Sequence, residues 1–69
     1  MSLKEIQFVI QTHQEWLNSK GIMGLQANFT GMDLSGYDLR QQDLRGADFT
    51  KANLQQANFE KANLQGANF

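Results

Sequence analysis

Two hydrophobic periods divide the chain. Over residues 2–20, apolar side chains recur at Leu3, Ile6, Val9, Ile10, Trp16 and Leu17. That three-and-four spacing lines one face of an α-helix, and Gln7, Gln11, Gln14, Glu15 and Asn18 fill the other. The pattern predicts one amphipathic helix. Ser2 with Glu5 fits a capping box at its start. Gly21 is the expected left-handed stop, and Lys20 suits the negative end of the helix dipole. Phe8 lies off the stripe, where it is available to a partner.

From residue 27 the period becomes five. Phe29, Leu34, Leu39, Leu44, Phe49, Leu54, Phe59, Leu64 and Phe69 follow one another at that interval. Each is preceded by Asn or Asp, and in six of the nine cases Ala stands one place earlier. On an α-helix, at about 100° per residue, such centres would spread around every side. On a flat strand an odd period alternates faces. The nine can share one interior only if the backbone turns once per repeat, so the chain is expected to wind as a solenoid of short extended pieces and turns. Asn and Asp tolerate turn backbone and hydrogen-bond locally, and Gly31, Gly36, Gly46 and Gly66 fall in the turn phase.

Composition removes most chemistry. A chain of 69 residues buries only about 60% of its unfolded surface as a conventional globule. With 41% apolar and 19% charged residues it is too apolar for a disordered tail. There are no cysteines, hence no disulfides, thiol nucleophiles or cysteine-bound metal. The net charge of -1 leaves no electrostatic footprint for nucleic acid or an anionic membrane. No run reaches the roughly 20 apolar residues that span a bilayer, and no signal peptide is visible, so the expected location is cytoplasmic.

The recurring Ala, Asn or Asp, Leu or Phe, then two variable residues resembles the pentapeptide-repeat family over residues 27–69. The resemblance implies a β-solenoid, specifically a short right-handed quadrilateral β-helix with four repeats per coil and the Leu or Phe centres inward. It divides the chain into a capping helix (1–21), a junction or imperfect coil (22–26) and about two coils (27–69). In that register position n stacks under n+20, so Phe29, Phe49 and Phe69 form a column, Leu34 meets Leu54, Leu39 meets Phe59 and Leu44 meets Leu64. Arg40 falls beside Glu60 on the outside, and Thr30 beside Thr50. Met32, Tyr37 and Gln42 occupy the small inward position of the first coil, which suggests a turn widened or open beneath. Ile6, Ile10, Trp16 and Leu17 are expected to cover the apolar bottom of the column.

The chain reaches Phe69 in mid-repeat, leaving an open end with unpaired backbone and an apolar cross-section. Either it is a fragment of, or engineered from, a longer repeat protein, or a partner covers that end. Both readings predict association, most simply a homodimer with Leu64, Ala67 and Phe69 at the interface. The identity of any other protein partner is not readable. The expected function is therefore that of a structural, protein-interacting scaffold, with no catalytic residues, cofactor or metal and with neither nucleic acid nor membrane as partner. His13 is the sole histidine and reads as a partly buried structural residue, having no second ligand at metal spacing. Asp33, Asp38, Asp43 and Asp48 read as turn residues on four separate faces, unsuited to converge on a cation. A thin solenoid leaves no room for a pocket of about 300 Å³. The alternative comes from a subset of the family that looks like duplex DNA and binds DNA gyrase. Against it, residues 27–69 carry five acids and four bases, too even a balance for a phosphate ladder.

Overall fold

The computed structural model describes residues 3–69. Helix α1 runs Leu3–Asn18, so the Ser2 capping box lies outside the described residues. Its C-terminal stop uses two positive-φ residues, Lys20 (φ 58°) and Gly21 (φ 89°). The Gly21 N–H donates to Trp16 O at 2.8 Å and the Lys20 N–H to Leu17 O at 3.3 Å, the paired bonds of a Schellman motif. The left-handed residue expected at Gly21 thus begins one position earlier, on a lysine.

Residues 22–26 form no imperfect coil. They fold back along α1: Met23 N–H donates to the Ser19 hydroxyl at 2.7 Å, and Leu25 N–H to Thr12 O at 3.2 Å. Gly24 (φ 72°) lies so close to the helix that a Cβ there would sit 2.7 Å from Trp16 N and 2.8 Å from Glu15 Cβ. Only glycine fits that crossing.

From residue 27 the chain laps itself every twenty residues. Parallel bridges join Asn28 to Asp48, Asp33 to Asn53, Asp38 to Asn58, Asp43 to Asn63 and Asp48 to Asn68. Each uses two backbone bonds: Phe29 N–H donates to Asp48 O at 2.7 Å, and Asp48 N–H to Ala27 O at 3.0 Å. We call residues 28–47 the first coil and 48–67 the second. Among the described residues the bridges are isolated single-residue pairs, not continuous strands. The reason is the corner at every fifth residue. The N–H two places after each small residue's Asn or Asp neighbour is reached by that side chain, as in Thr30 N–H to Asn28 Oδ1 at 3.0 Å and Gln55 N–H to Asn53 Oδ1 at 3.1 Å. The turn itself closes with Met32 N–H on Phe29 O at 3.0 Å, repeated down to Ala67 N–H on Leu64 O at 2.9 Å. Its third residue has positive φ throughout, the hallmark of a type II turn. At Gln41, Lys51, Gln56 and Lys61 that residue is not glycine, with φ of 60–62°.

The side chains at the repeat centres face inward. Phe29, Leu34, Leu39, Leu44 and Phe49 are fully buried with Ile6, Ala27 and Ala47. Phe49 stacks on Phe29 (centroids 5.0 Å, planes 10° apart) and on Phe69 (5.2 Å, 7°), with Phe59 edge-on at 5.8 Å. These are favoured aromatic arrangements. The nine centres are not equally dry, however. Leu54, Phe59 and Leu64 are half-buried, and Phe69 is 61% exposed. Among the described residues nothing is stacked on their outer side.

Met32, Tyr37 and Gln42 do not widen the first coil. Their carbonyls receive Asn53, Asn58 and Asn63 N–H at 2.8–3.0 Å, the same lengths as elsewhere. The three side chains are half-buried, Met32 and Tyr37 against the core.

Two outcomes follow from these positions. A Cβ at Gly36 (φ 70°) would meet nothing within 4 Å, so Gly36→Ala loses only backbone conformation, about 1 kcal/mol; Gln56→Gly gains a comparable amount, both read by urea denaturation. Leu39→Ala, emptying a buried site, costs about 2–5 kcal/mol, and Leu64→Ala distinctly less, because its site is already part-solvated.

Candidate interaction surfaces

Three surfaces carry the polar and apolar groups that could act on another molecule. The first is the seam between α1 and the first coil. Ile6 is buried there, and Val9 and Ile10 pack on the core beside it. Trp16 and Leu17, expected as equal members of the cap, are half-buried. The contact runs from Ile6 to Trp16, with Ile6 and His13 as its buried residues. Trp16 lies over the Gly46 corner, where a Cβ would meet its ring at 3.6 Å.

Polar side chains tie this seam. Gln14 Nε2 donates to Asp43 O at 2.8 Å, and Gln26 Nε2 to Gly46 O. No backbone N–H bonds either carbonyl among the described residues, and both would otherwise be left to water. His13 is completely buried, not partly as its position in the sequence suggested, and its Nδ1 accepts the Ala27 N–H at 2.9 Å. Its Nε2 has no partner among the described residues, and its ring stacks on Trp16 at 5.5 Å. Burial holds the His13 pKa below its ordinary value.

The second surface is the polar flank of the coils. Arg40 does not reach across to Glu60 as expected. Its Nε and Nη2 grip the two oxygens of Asp38 at 2.9 and 2.8 Å, and Arg45 grips Asp43 likewise at 2.8 and 2.7 Å. A residue two places along the same turn is held near by the backbone, and it offers bidentate geometry that a partner one coil away does not. The Arg40 bond draws the Asp38 pKa down to about 2. Arg45 lowers that of Asp43, and the Ser35 and Thr50 hydroxyls lower those of Asp33 and Asp48. Asp38, Arg40, Gln41, Gln42 and Glu60 line a shallow hollow of about 270 Å³. It is open and polar, and it holds no nucleophile beside a base. The aspartates bridge on separate sides of the coil, and no group of three metal-ligating side chains converges among the described residues.

The third surface is the outer edge of the second coil, where Leu54, Phe59, Leu64 and Ala67 are half-buried and Phe69 is exposed. In the first coil the Leu34, Leu39 and Leu44 N–H groups donate to Asn53, Asn58 and Asn63. Their equivalents at Leu54, Phe59 and Leu64 have no partner among the described residues, and neither do the carbonyls of Ala52, Ala57 and Ala62.

A family model described as pentapeptide repeats (8 copies) matches residues 26–60 and 34–69. The chain belongs to the pentapeptide-repeat family. No curated protein and no solved structure matches it. As a family member the chain is a repeat-protein scaffold, and among its described residues no helix is long and apolar enough to cross a membrane. Of the pentapeptide positions, Asn or Asp before each centre serves the corner, which the sequence signalled. The seam bonds of His13, Gln14 and Gln26 carried no signal of their own, since glutamines on a helix's polar side are ordinary surface residues.

Replacing Arg40 by Ala frees the Asp38 carboxylate, and its pKa returns from about 2 toward the ordinary 3.8. Because the folded pKa is depressed, the pair's contribution is present above pH 3.8 and is lost as pH falls toward 2. Carboxyl carbon shifts in an NMR titration of both proteins report the change.

Proposed function

We propose that residues 27–69 form a short right-handed quadrilateral β-helix and that the chain is a non-enzymatic scaffold which self-associates through the edge of its second coil. The supporting observation is the chemistry of that edge. Three N–H groups and three C=O groups alternate around an apolar patch of Leu54, Phe59, Leu64, Ala67 and Phe69. An unpaired edge of this kind takes up another backbone carrying the same alternation, and a second copy of the chain offers it. A two-fold arrangement is self-complementary: each edge donates and accepts equally, and the Phe69 rings extend the aromatic column from both sides.

A scaffold reading also agrees with the flanks. Arg40 and Arg45 are paired with Asp38 and Asp43 within their own turns, and these exposed groups supply solubility and no reaction. Nothing favours the DNA-like alternative, because Asp38 and Asp43 are each neutralised by an arginine two residues on.

Light scattering on the 69-residue chain tests this. The expected particle has twice the 7.8 kDa chain mass at high micromolar concentration, and Phe69→Glu, at an exposed site, shifts it to the monomer. Gln55→Lys, on the flank, leaves the mass and the melting temperature unchanged. A strictly monomeric wild-type chain, or a dimer indifferent to Phe69→Glu, rejects the edge as the association surface.

A further inference from the structure

The ring of His13 is held by a bond that only its neutral form can make. Nδ1 accepts the Ala27 N–H at 2.9 Å, so the single ring proton of the neutral form is on Nε2. That second nitrogen is buried with no hydrogen-bond partner among the described residues. Protonation puts a hydrogen on Nδ1, pointing at the Ala27 N–H, and turns the one bond of the ring into a donor–donor clash. It also places a charge on a side chain with no exposure to solvent.

The surroundings compensate only in part. From the first coil, the Arg45 backbone and the Asp43 carboxylate favour the proton and the Arg45 guanidinium opposes it, and burial outweighs them. The Asp43 carboxylate is already engaged by Arg45 through two bonds. From its own helix the ring meets Trp16, which is uncharged. The returning segment contributes Gly24, Leu25, Gln26 and Ala27, none of which titrates. Desolvation dominates, and the ring's affinity for a proton in the docked state is below the ordinary value of 6.5.

We propose that His13 makes the docking of α1 acid-labile: on taking up a proton the cap lifts from the first coil, baring its Phe29, Leu34, Leu39 and Leu44 floor while the two coils stay wound. The coils can remain because their own bonds, from Phe29–Asp48 to Asn68–Ala47, involve no residue of α1. The few polar ties across the seam are those of His13, Gln14 and Gln26. The sign follows from linkage. The lifted state has the ordinary affinity and the docked state a weaker one, so docking is undisturbed above pH 6.5 and weakens as pH falls below it. Uptake of one proton raises the lifted-to-docked ratio about tenfold per pH unit in that range. The device is independent of how the second-coil edge is used.

The full chain is followed from pH 7.5 to 5 by the emission of its single tryptophan, Trp16, and by NMR. The NMR reads amide protection, corrected for intrinsic exchange, and the nitrogen shifts of the His13 ring. The expected result is a neutral Nε2–H ring at pH 7.5 that titrates below 6.5. Over the same range Trp16 emission shifts red and Ala27 loses protection, while the Asp48, Asn53 and Asn58 amides keep theirs. His13→Asn, whose Oδ1 accepts the Ala27 N–H without titrating, abolishes the transition. If that variant does not fold, coincidence of the wild-type ring titration with loss of Ala27 protection decides. The proposal is overturned by a ring titrating at or above 6.5, by a seam unchanged to pH 5, by cap and coil amides losing protection together, or by a transition that persists in His13→Asn.

Discussion

Everything in the repeat segment depends on one constraint: each lap must present its backbone donors and acceptors to the next lap twenty residues on. The bonds at Asp48, Asn53, Asn58, Asn63 and Asn68 meet that requirement with single-residue bridges. Such short contacts suffice because the corners carry bonds of their own and a further bond to the next lap, Gly31 N–H to Thr50 O at 3.0 Å and its equivalents at Gly36, Gln41 and Gly46. An Asn or Asp side chain caps the turn, and an i+3 to i bond closes it, so each corner is formed from residues at most a few positions apart. Stability is then a sum of small local terms plus the stacking of neighbours, the regime of repeat proteins.

Burial is graded along the chain, and the grade follows from what covers each layer. The first coil lies between α1 and the second coil, and its centres are dry. The second has a neighbour on one side among the described residues: Phe49, stacked under Phe69, is dry, whereas Leu54, Phe59 and Leu64 are half-wet. Phe69 stacks on Phe49 by one ring face and shows the rest of itself to solvent. Identical residues in equivalent positions therefore contribute unequally. Leu44 and Leu64 share a column, yet the first loses nearly all contact with water and the second only part of it.

The cap solves a different problem from the coils. An apolar floor asks for an apolar helix face, which Ile6, Val9 and Ile10 provide. The floor is also ringed by carbonyls and amides that no earlier lap pairs. Gln14 and Gln26 satisfy two of the carbonyls, and His13 takes an amide. Asn28, Asp33 and Asp38, on the other sides, are exposed and leave their backbone to water. The helix thus covers the floor and part of its rim. Burying a titratable ring at that junction makes the junction chemically distinct from the rest of the fold.

The sequence alone determined the five-residue period, the corner positions and the inward set, because Leu or Phe at every fifth place can share an interior only where the backbone turns once per repeat; the twenty-residue lap was implied by the family resemblance. The three-and-four spacing likewise determined the helix and its apolar stripe apart from Leu3, which is exposed. The columns Phe29–Phe49–Phe69 and Leu34–Leu54 follow once the twenty-residue lap is accepted. What tertiary structure decided is whatever depends on distance between parts that share no period. The placement of α1 along the floor buried Ile6 and His13 and left Val9, Ile10, Trp16 and Leu17 half-buried. Only that placement showed His13 to be wholly buried, with Nδ1 turned to Ala27. Arg40 chose Asp38 over Glu60 because two residues within a turn are held in bidentate reach, whereas neighbouring coils merely pass by. Periodicity fixes which way a side chain faces; how completely it is covered depends on the layer above it.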